Sequence, residues 1–163
     1  MKFIILITVL SLLLFSDTEN FTITDSGNLE WSKVHTTELS TTNLHIAIKT
    51  KLKGEEISSN TFIAQIKNYQ LEFEELGYKK MSTPIVAQGK INFELLIQTK
   101  EGKYKVTARQ IKSITPIDDS PTDMELFAIK KGNYKSLFTK HLAKILEYNL
   151  NKKTILVPEN TDW

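Results

Sequence analysis

Three histidines, His35, His45 and His141, are the side chains best suited to proton transfer or metal ligation near neutral pH. None has a partner at a metal-ligand spacing such as i, i+4. His141 falls on an apolar helical stripe, where a hydrogen-bonded core or boundary role is expected. Asp118, Asp119, Asp123 and Glu125 form an acidic cluster. A calcium loop needs alternating oxygen ligands, a glycine at its turn and a distant bidentate glutamate. Pro121 and the lack of a glycine point instead to helix capping and dipole compensation. Glu72, Glu74 and Glu75 could supply an acid and a base for glycoside hydrolysis, which needs two carboxylates at a fixed separation across the scissile bond. Residues this close in sequence rarely face one another across a cleft, so a solvated loop or edge is expected. Ser82 stands between Met81 and Thr83 without the glycines of a nucleophile elbow. The six glycines are isolated and fit neither phosphate-loop spacing. With no cysteine, the chain has no thiol nucleophile, thiolate metal site or lipid-anchoring residue. The expected catalytic, cofactor and metal residues are therefore none. Asn20-Phe21-Thr22 matches a glycosylation sequon beside the expected cleavage point and reads as chance. Trp163, the last residue, either docks back on the domain or serves as an aromatic anchor for a partner.

The elements that would position such groups are partly legible. Asp25-Ser26-Gly27-Asn28 is a turn sequence. From Leu29 to Thr37 the residues alternate, which predicts a strand with Trp31 turned inward, although Val34 breaks the apolar pattern. The segment from Ser40 to Lys53 fits a strand or a helix, the helix with Ser40 or Thr42 as N-cap and Gly54 as a stop. The segment from Asn60 to Glu75 is equally open, since Phe62, Ile66, Tyr69, Phe73 and Leu76 suit a helix and Phe62, Ala64 and Ile66 suit a strand. Ile91, Phe93, Leu95 and Ile97, then Lys100-Glu101-Gly102, then Tyr104, Val106 and Ala108, predict a hairpin whose second strand runs to Ile114 before Pro116. Ser120-Pro121-Thr122-Asp123 reads as the capped start of a helix ending at Gly132. Asn133 is expected to cap a second helix that buries Tyr134, Leu137, Phe138, His141, Leu142, Ile145 and Leu146 and turns Lys135, Lys140 and Lys144 outward.

Composition bounds the rest. Lys2, the apolar block from Phe3 to Phe15 and the small Ser16 describe a secretory signal peptide cleaved near Ser16. A helix over that block spans only about 20 Å, short of the roughly 30 Å hydrocarbon core. The chain is thus expected to be exported, to the periplasm or beyond, with no stable membrane insertion after cleavage. The expected organisation is a signal peptide over 1–16, a flexible lead-in over 17–28, one domain over 29–157 and a polar tail over 158–163. A formal net charge of +2 gives no basic excess for neutralising phosphates, so no nucleic-acid partner is expected.

Several short motifs together resemble a family of exported bacterial proteins, domain of unknown function 4468, with a TATA-binding-protein-like fold. They are Trp31-Ser32-Lys33-Val34, Met81-Ser82-Thr83-Pro84-Ile85, the hairpin from Lys100 to Thr107, Ala128-Ile129-Lys130-Lys131-Gly132 and Thr161-Asp162-Trp163. Lys105 departs from the arginine that the family favours. The resemblance implies an α+β domain, an antiparallel sheet packed against two or three helices in the order β-α-β-β-β-α. It makes the segment from Ser40 to Lys53 a helix and that from Asn60 to Glu74 largely a strand, and it brings no activity, cofactor or catalytic residue. The functional expectation is an exported, soluble, non-catalytic binding or interaction domain for a protein, peptide or small molecule. The alternative is an exported hydrolase whose site forms only in the fold.

Overall fold

The computed structural model describes residues 18–156. The signal peptide, its cleavage point, the 158–163 tail and Trp163 lie outside the described residues.

The strands are β1 (Phe21–Ile23), β2 (Leu29–Thr36), β3 (Glu55–Ser58), β4 (Thr61–Gln70), β5 (Lys90–Lys100), β6 (Lys103–Ile114), β7 (Thr122–Asp123), β8 (Ile129–Lys130) and β9 (Asn133–Tyr134). The helices are α1 (Thr41–Ala47), α2 (Glu125–Ala128) and α3 (Ala143–Thr154). A π-type turn, Ile48–Leu52, prolongs α1, and another, Phe138–Leu142, leads into α3. Seven strands form one antiparallel sheet in the order β1-β2-β6-β5-β4-β3, with β7 also paired to β6; β8 and β9 make a separate small hairpin. The fold is α+β, as expected.

One face of the sheet carries the core. Ile91, Phe93, Leu95 and Ile97 of β5 point inward with Phe62 and Ala64 of β4 and Val106 and Ala108 of β6. They meet Leu44, Ile48 and Leu52 of the first helix and Leu142, Ile145, Leu146 and Leu150 of the last. Trp31 is fully buried, and truncating a side chain of that size costs about 3–5 kcal/mol. Its indole N–H donates to Glu147 of α3, whose other oxygen accepts from the Asn20 carboxamide at 2.9 Å, fixing helix to sheet. Val34 sits on the opposite, solvent-facing side, which accounts for the break in the apolar pattern.

Both ambiguous segments resolve as the resemblance implies. Ser40 caps α1, its hydroxyl accepting from the Asn43 amide. Residues 61–70 are strand, and their helical look has a cause: β4 carries a bulge. Ile66 pairs with Phe93 and Tyr69 with Ile91, so Lys67 and Asn68 together face Asn92. Asn68 takes the left-handed conformation (φ 54°), and its amide donates to the Asn92 side chain at 2.7 Å. The extra residue changes inward spacing from two to three, which converts a strand pattern into an apparent helical stripe. β6 bulges at the same level, where Glu94 pairs with Arg109 and Asn92 with Lys112, with Gln110 left-handed (φ 52°). There the inward positions move from Ala108 to Ile111.

Four sequence expectations are corrected. Within the expected lead-in over 17–28, Phe21–Ile23 form an edge strand, and Phe21 is buried against Phe138 in an edge-to-face contact at 5.1 Å. The predicted turn at 25–28 closes that hairpin, with Gly27 at φ 82°. Gly54 is not the helical stop: Lys53 takes the left-handed position, while a Cβ on Gly54 would lie 2.8 Å from the Ile48 side chain. The helix expected from Ser120 shrinks to the single turn of α2, because Thr122 and Asp123 pair with Ser113 and Lys112 and the Met124 amide donates to the Ile111 carbonyl. Pairing along an available sheet edge outweighs a local capping signal. Asn133, finally, caps nothing; it pairs with Lys130 across the two-residue turn Lys131-Gly132, both at positive φ. The last helix starts at Ser136, and the wider turn at 138–142 rotates its register so that Leu137 is 40% exposed while Phe138 and Leu142 are buried.

Candidate functional site

The sheet edge beside β6 is interrupted. β2 pairs with β6 over Lys103 to Ala108 and β7 over Lys112 and Ser113, which leaves Arg109, Gln110 and Ile111 between them. The left-handed Gln110 lies in that gap, and an open groove of about 700 Å³ lies over it. Its walls are the β1–β2 turn at Gly27 and Asn28, Glu30 of β2, Arg109 and Lys112 of β6, and Asp123, Glu125 and Leu126 from the β7–α2 segment.

Both bases of the groove are ion-paired. Arg109 donates through Nε to Glu94 at 2.6 Å, and the other Glu94 oxygen accepts from Gln65 at 2.6 Å, forming a polar row across the open face of the sheet. Lys112 sits 3.2 Å from Asp123. Glu125 accepts from the Leu29 amide at 2.9 Å and so completes the first hydrogen bond of β2. Two bases and three carboxylates around one groove suit a polar ligand carrying both signs of charge.

The structure scatters the residues that the sequence singled out. His35 stacks on Tyr104 at 4.9 Å and meets the Thr154 hydroxyl at 3.2 Å; burial, and then nearby Lys33, holds its pKa below 6.5. His45 meets the Thr99 hydroxyl at 3.0 Å and the edge of Phe62. His141 lies edge-on to Tyr78, its Nδ1 buried without a hydrogen-bond partner among the described residues. Each histidine thus faces hydroxyls or rings, in a different part of the fold. Among the described residues no three His, Asp or Glu side chains gather in metal-binding geometry. Of the acidic cluster, Asp123 and Glu125 reach the groove, while Asp118 accepts from the Ser120 amide at 2.9 Å. Glu72 and Glu75 do converge, on Lys152 of α3, and Tyr148 donates to Glu75. These contacts pull the Glu75 pKa down, through Tyr148 and then Lys152, and raise that of Lys152, chiefly through Glu72. This exposed staple holds the loop after β4 against the helix. Ser82 donates to the Lys79 carbonyl at 3.0 Å, and the Asn20 carboxamide of the sequon is engaged with Glu147.

Sequence reasoning missed Glu30, Arg109, Gln110 and Lys112. The signal was the phase break between Ala108 and Ile111, which marks a bulge and therefore a re-aimed stretch of edge.

The chain matches no protein-family profile and no curated protein. Among solved structures it is similar to a TBP-like protein from Parabacteroides distasonis, with a TM-score of 0.53 and 14% identity over 79% of this chain and 89% of that one. It is also similar to a DUF4468 family protein from Bacteroides ovatus, with a TM-score of 0.48 and 12% identity over 85% and 84% of the two chains. The first likeness places the fold in the TBP-like class. Among the described residues no helix is long and apolar enough to cross a membrane.

Proposed function

We propose that this chain is an exported, non-catalytic binding domain that seats a polar small molecule or short peptide in the groove at the break in β6. The observation carrying this reading is the groove itself, where Arg109 and Lys112 share about 700 Å³ with Glu30, Asp123 and Glu125. Charge pairs held ready on a rigid sheet favour recognition, because little ordering is needed when a ligand arrives. Export is supported by Lys2, the apolar block from Phe3 to Phe15 and Ser16. The hydrolase alternative draws no support from the histidines, each of which faces a hydroxyl or a ring.

The test is a titration of isotopically labelled chain with amino acids, short peptides and polar metabolites, followed by amide NMR. Shifts centred on residues 109–112 and weakened at least severalfold by Lys112→Ala are expected. A panel that leaves those amides unmoved, or turnover of a hydrolase substrate by the purified chain, overturns the reading. The intact mass of the protein recovered from its host tests export, since a retained Met1 defeats it.

A further inference from the structure

The charge of the chain is unevenly placed. Between Glu125 and Glu147 there is no acidic residue, yet Lys130, Lys131, Lys135, Lys140 and Lys144 all lie there. This stretch carries +5, whereas the remainder of the chain has three more acids than bases. The stretch runs from α2 through the β8–β9 hairpin into the last helix. Lys135 donates to the Leu126 carbonyl, which pins α2 against the start of that helix. Lys130 and Lys131 occupy the exposed tip of the β8–β9 hairpin between them. Lys140 and Lys144 follow Leu137 at helical spacing on the solvent side, and all three are exposed. None of the five lysines is ion-paired among the described residues, although Lys33, Lys49, Lys112 and Lys152 elsewhere are. Two exposed leucines complete the patch, Leu126 at 65% and Leu137 at 40%.

We propose that this face docks on an anionic phospholipid surface, the lysines meeting headgroup phosphates while Leu126 and Leu137 enter the interface. Four observations favour lipid over an acidic protein. The cations are all lysine, compact point charges suited to a diffuse anionic layer, with no arginine fork for a carboxylate. They lie on separate elements, a hairpin tip and a helix flank, so they form a field and not a pocket. Leu126 is 65% exposed although it borders the groove over Gln110, and Leu137, outside that groove's lining, is 40% exposed. Basic residues around a few protruding apolar ones are the composition of interfacial binding surfaces.

Because the chain has no cysteine, Leu126→Cys gives a unique position for an environment-sensitive fluorophore. The full chain so labelled is mixed with vesicles of phosphatidylcholine, with and without about one-third phosphatidylglycerol. The probe is expected to shift to the blue on the anionic vesicles only, and the shift to vanish near 0.5 M salt, where screening is reduced to roughly 4 Å. Each lysine near such a surface contributes about fivefold in affinity. The combined variant Lys130→Glu, Lys131→Glu, Lys140→Glu, Lys144→Glu, with an unchanged melting curve, is therefore expected to lose at least a hundredfold. Should that variant unfold, Lys140→Gln with Lys144→Gln is read instead, with a loss of about tenfold or more. A silent probe on anionic vesicles overturns the proposal even if the apolar N-terminus holds the chain to the membrane, because the probe reports the surroundings of position 126 and not those of the N-terminus. So does a shift given by polyglutamate and not by vesicles, or one that the charge changes leave intact.

Discussion

Asn149 is fully buried and does the work of a missing stretch of backbone. Its carboxamide accepts from the Glu72 amide at 2.9 Å and donates to the carbonyls of Glu72 and Ile145 at 2.9 and 2.8 Å. Asn149→Ala leaves the Glu72 amide and carbonyl without these partners, at a cost of about 2–3 kcal/mol. Chemical denaturation should show the loss as a lower midpoint with an unchanged slope. A second residue-scale outcome concerns His35. The folded state holds its pKa below the unfolded 6.5, burial being the larger cause, so the unfolded chain binds the extra proton. Stability contributed by the neutral ring is present above pH 6.5 and declines as pH falls from there towards the folded pKa. Melting temperatures of the native chain should therefore drop over that window, and His35→Gln should drop less. An equal drop in both proteins would remove His35 as the cause. Neither residue could be valued from sequence. Asn149 owes its role to a loop 77 positions away and His35 to Tyr104 and Thr154, pairings that no local pattern encodes.

Elements were readable where one local rule acted alone. The β5–β6 hairpin obeys alternation and a glycine turn, with Gly102 at φ 69°, and it forms as expected. The turn of α2 shows the opposite case, since Ser120 and Pro121 carry a genuine start signal that the free edge of β6 overrides. β4 shows a third: its apparent helical stripe comes from an inserted residue, and the asparagine at the phase break was the available clue, because Asn tolerates the left-handed conformation. The groove inherits this difficulty, as Glu30 and Asp123 come beside Arg109 and Lys112 only once β2 and β7 have both paired with β6. The loop after β4 supplies the test at this scale. Its staple to Lys152 is exposed, and exposed ion pairs add little to global stability. Lys152→Ala should leave the melting temperature essentially unchanged while amide hydrogen exchange in residues 72–77 speeds up. Equal exchange in both proteins would show that the buried bonds of Asn149 hold that loop unaided.

For the whole molecule, the sheet presents one covered face, one open polar face and a net charge divided between two regions. The division gives the two proposed surfaces different character, the groove carrying both signs of charge and the lysine face only one. Ligand binding in the groove should accordingly depend weakly on ionic strength and vesicle binding strongly, which a salt series on each would separate.

The two bulges also bear on which lengths of chain this fold accepts. Removing one residue from a central strand ordinarily turns every side chain beyond it to the wrong face. At Asn68 and Gln110 the chain already carries a surplus residue, so a deletion there returns each strand to a regular ladder, with Tyr69 still opposite Ile91 and Lys112 still opposite Asn92. A chain lacking Asn68 should unfold cooperatively with its core faces unchanged and a flatter sheet, whereas one lacking Asn92 of β5 should not fold; circular dichroism melts distinguish them. Positions 68 and 110 are thus where this protein can shorten without turning its core outward.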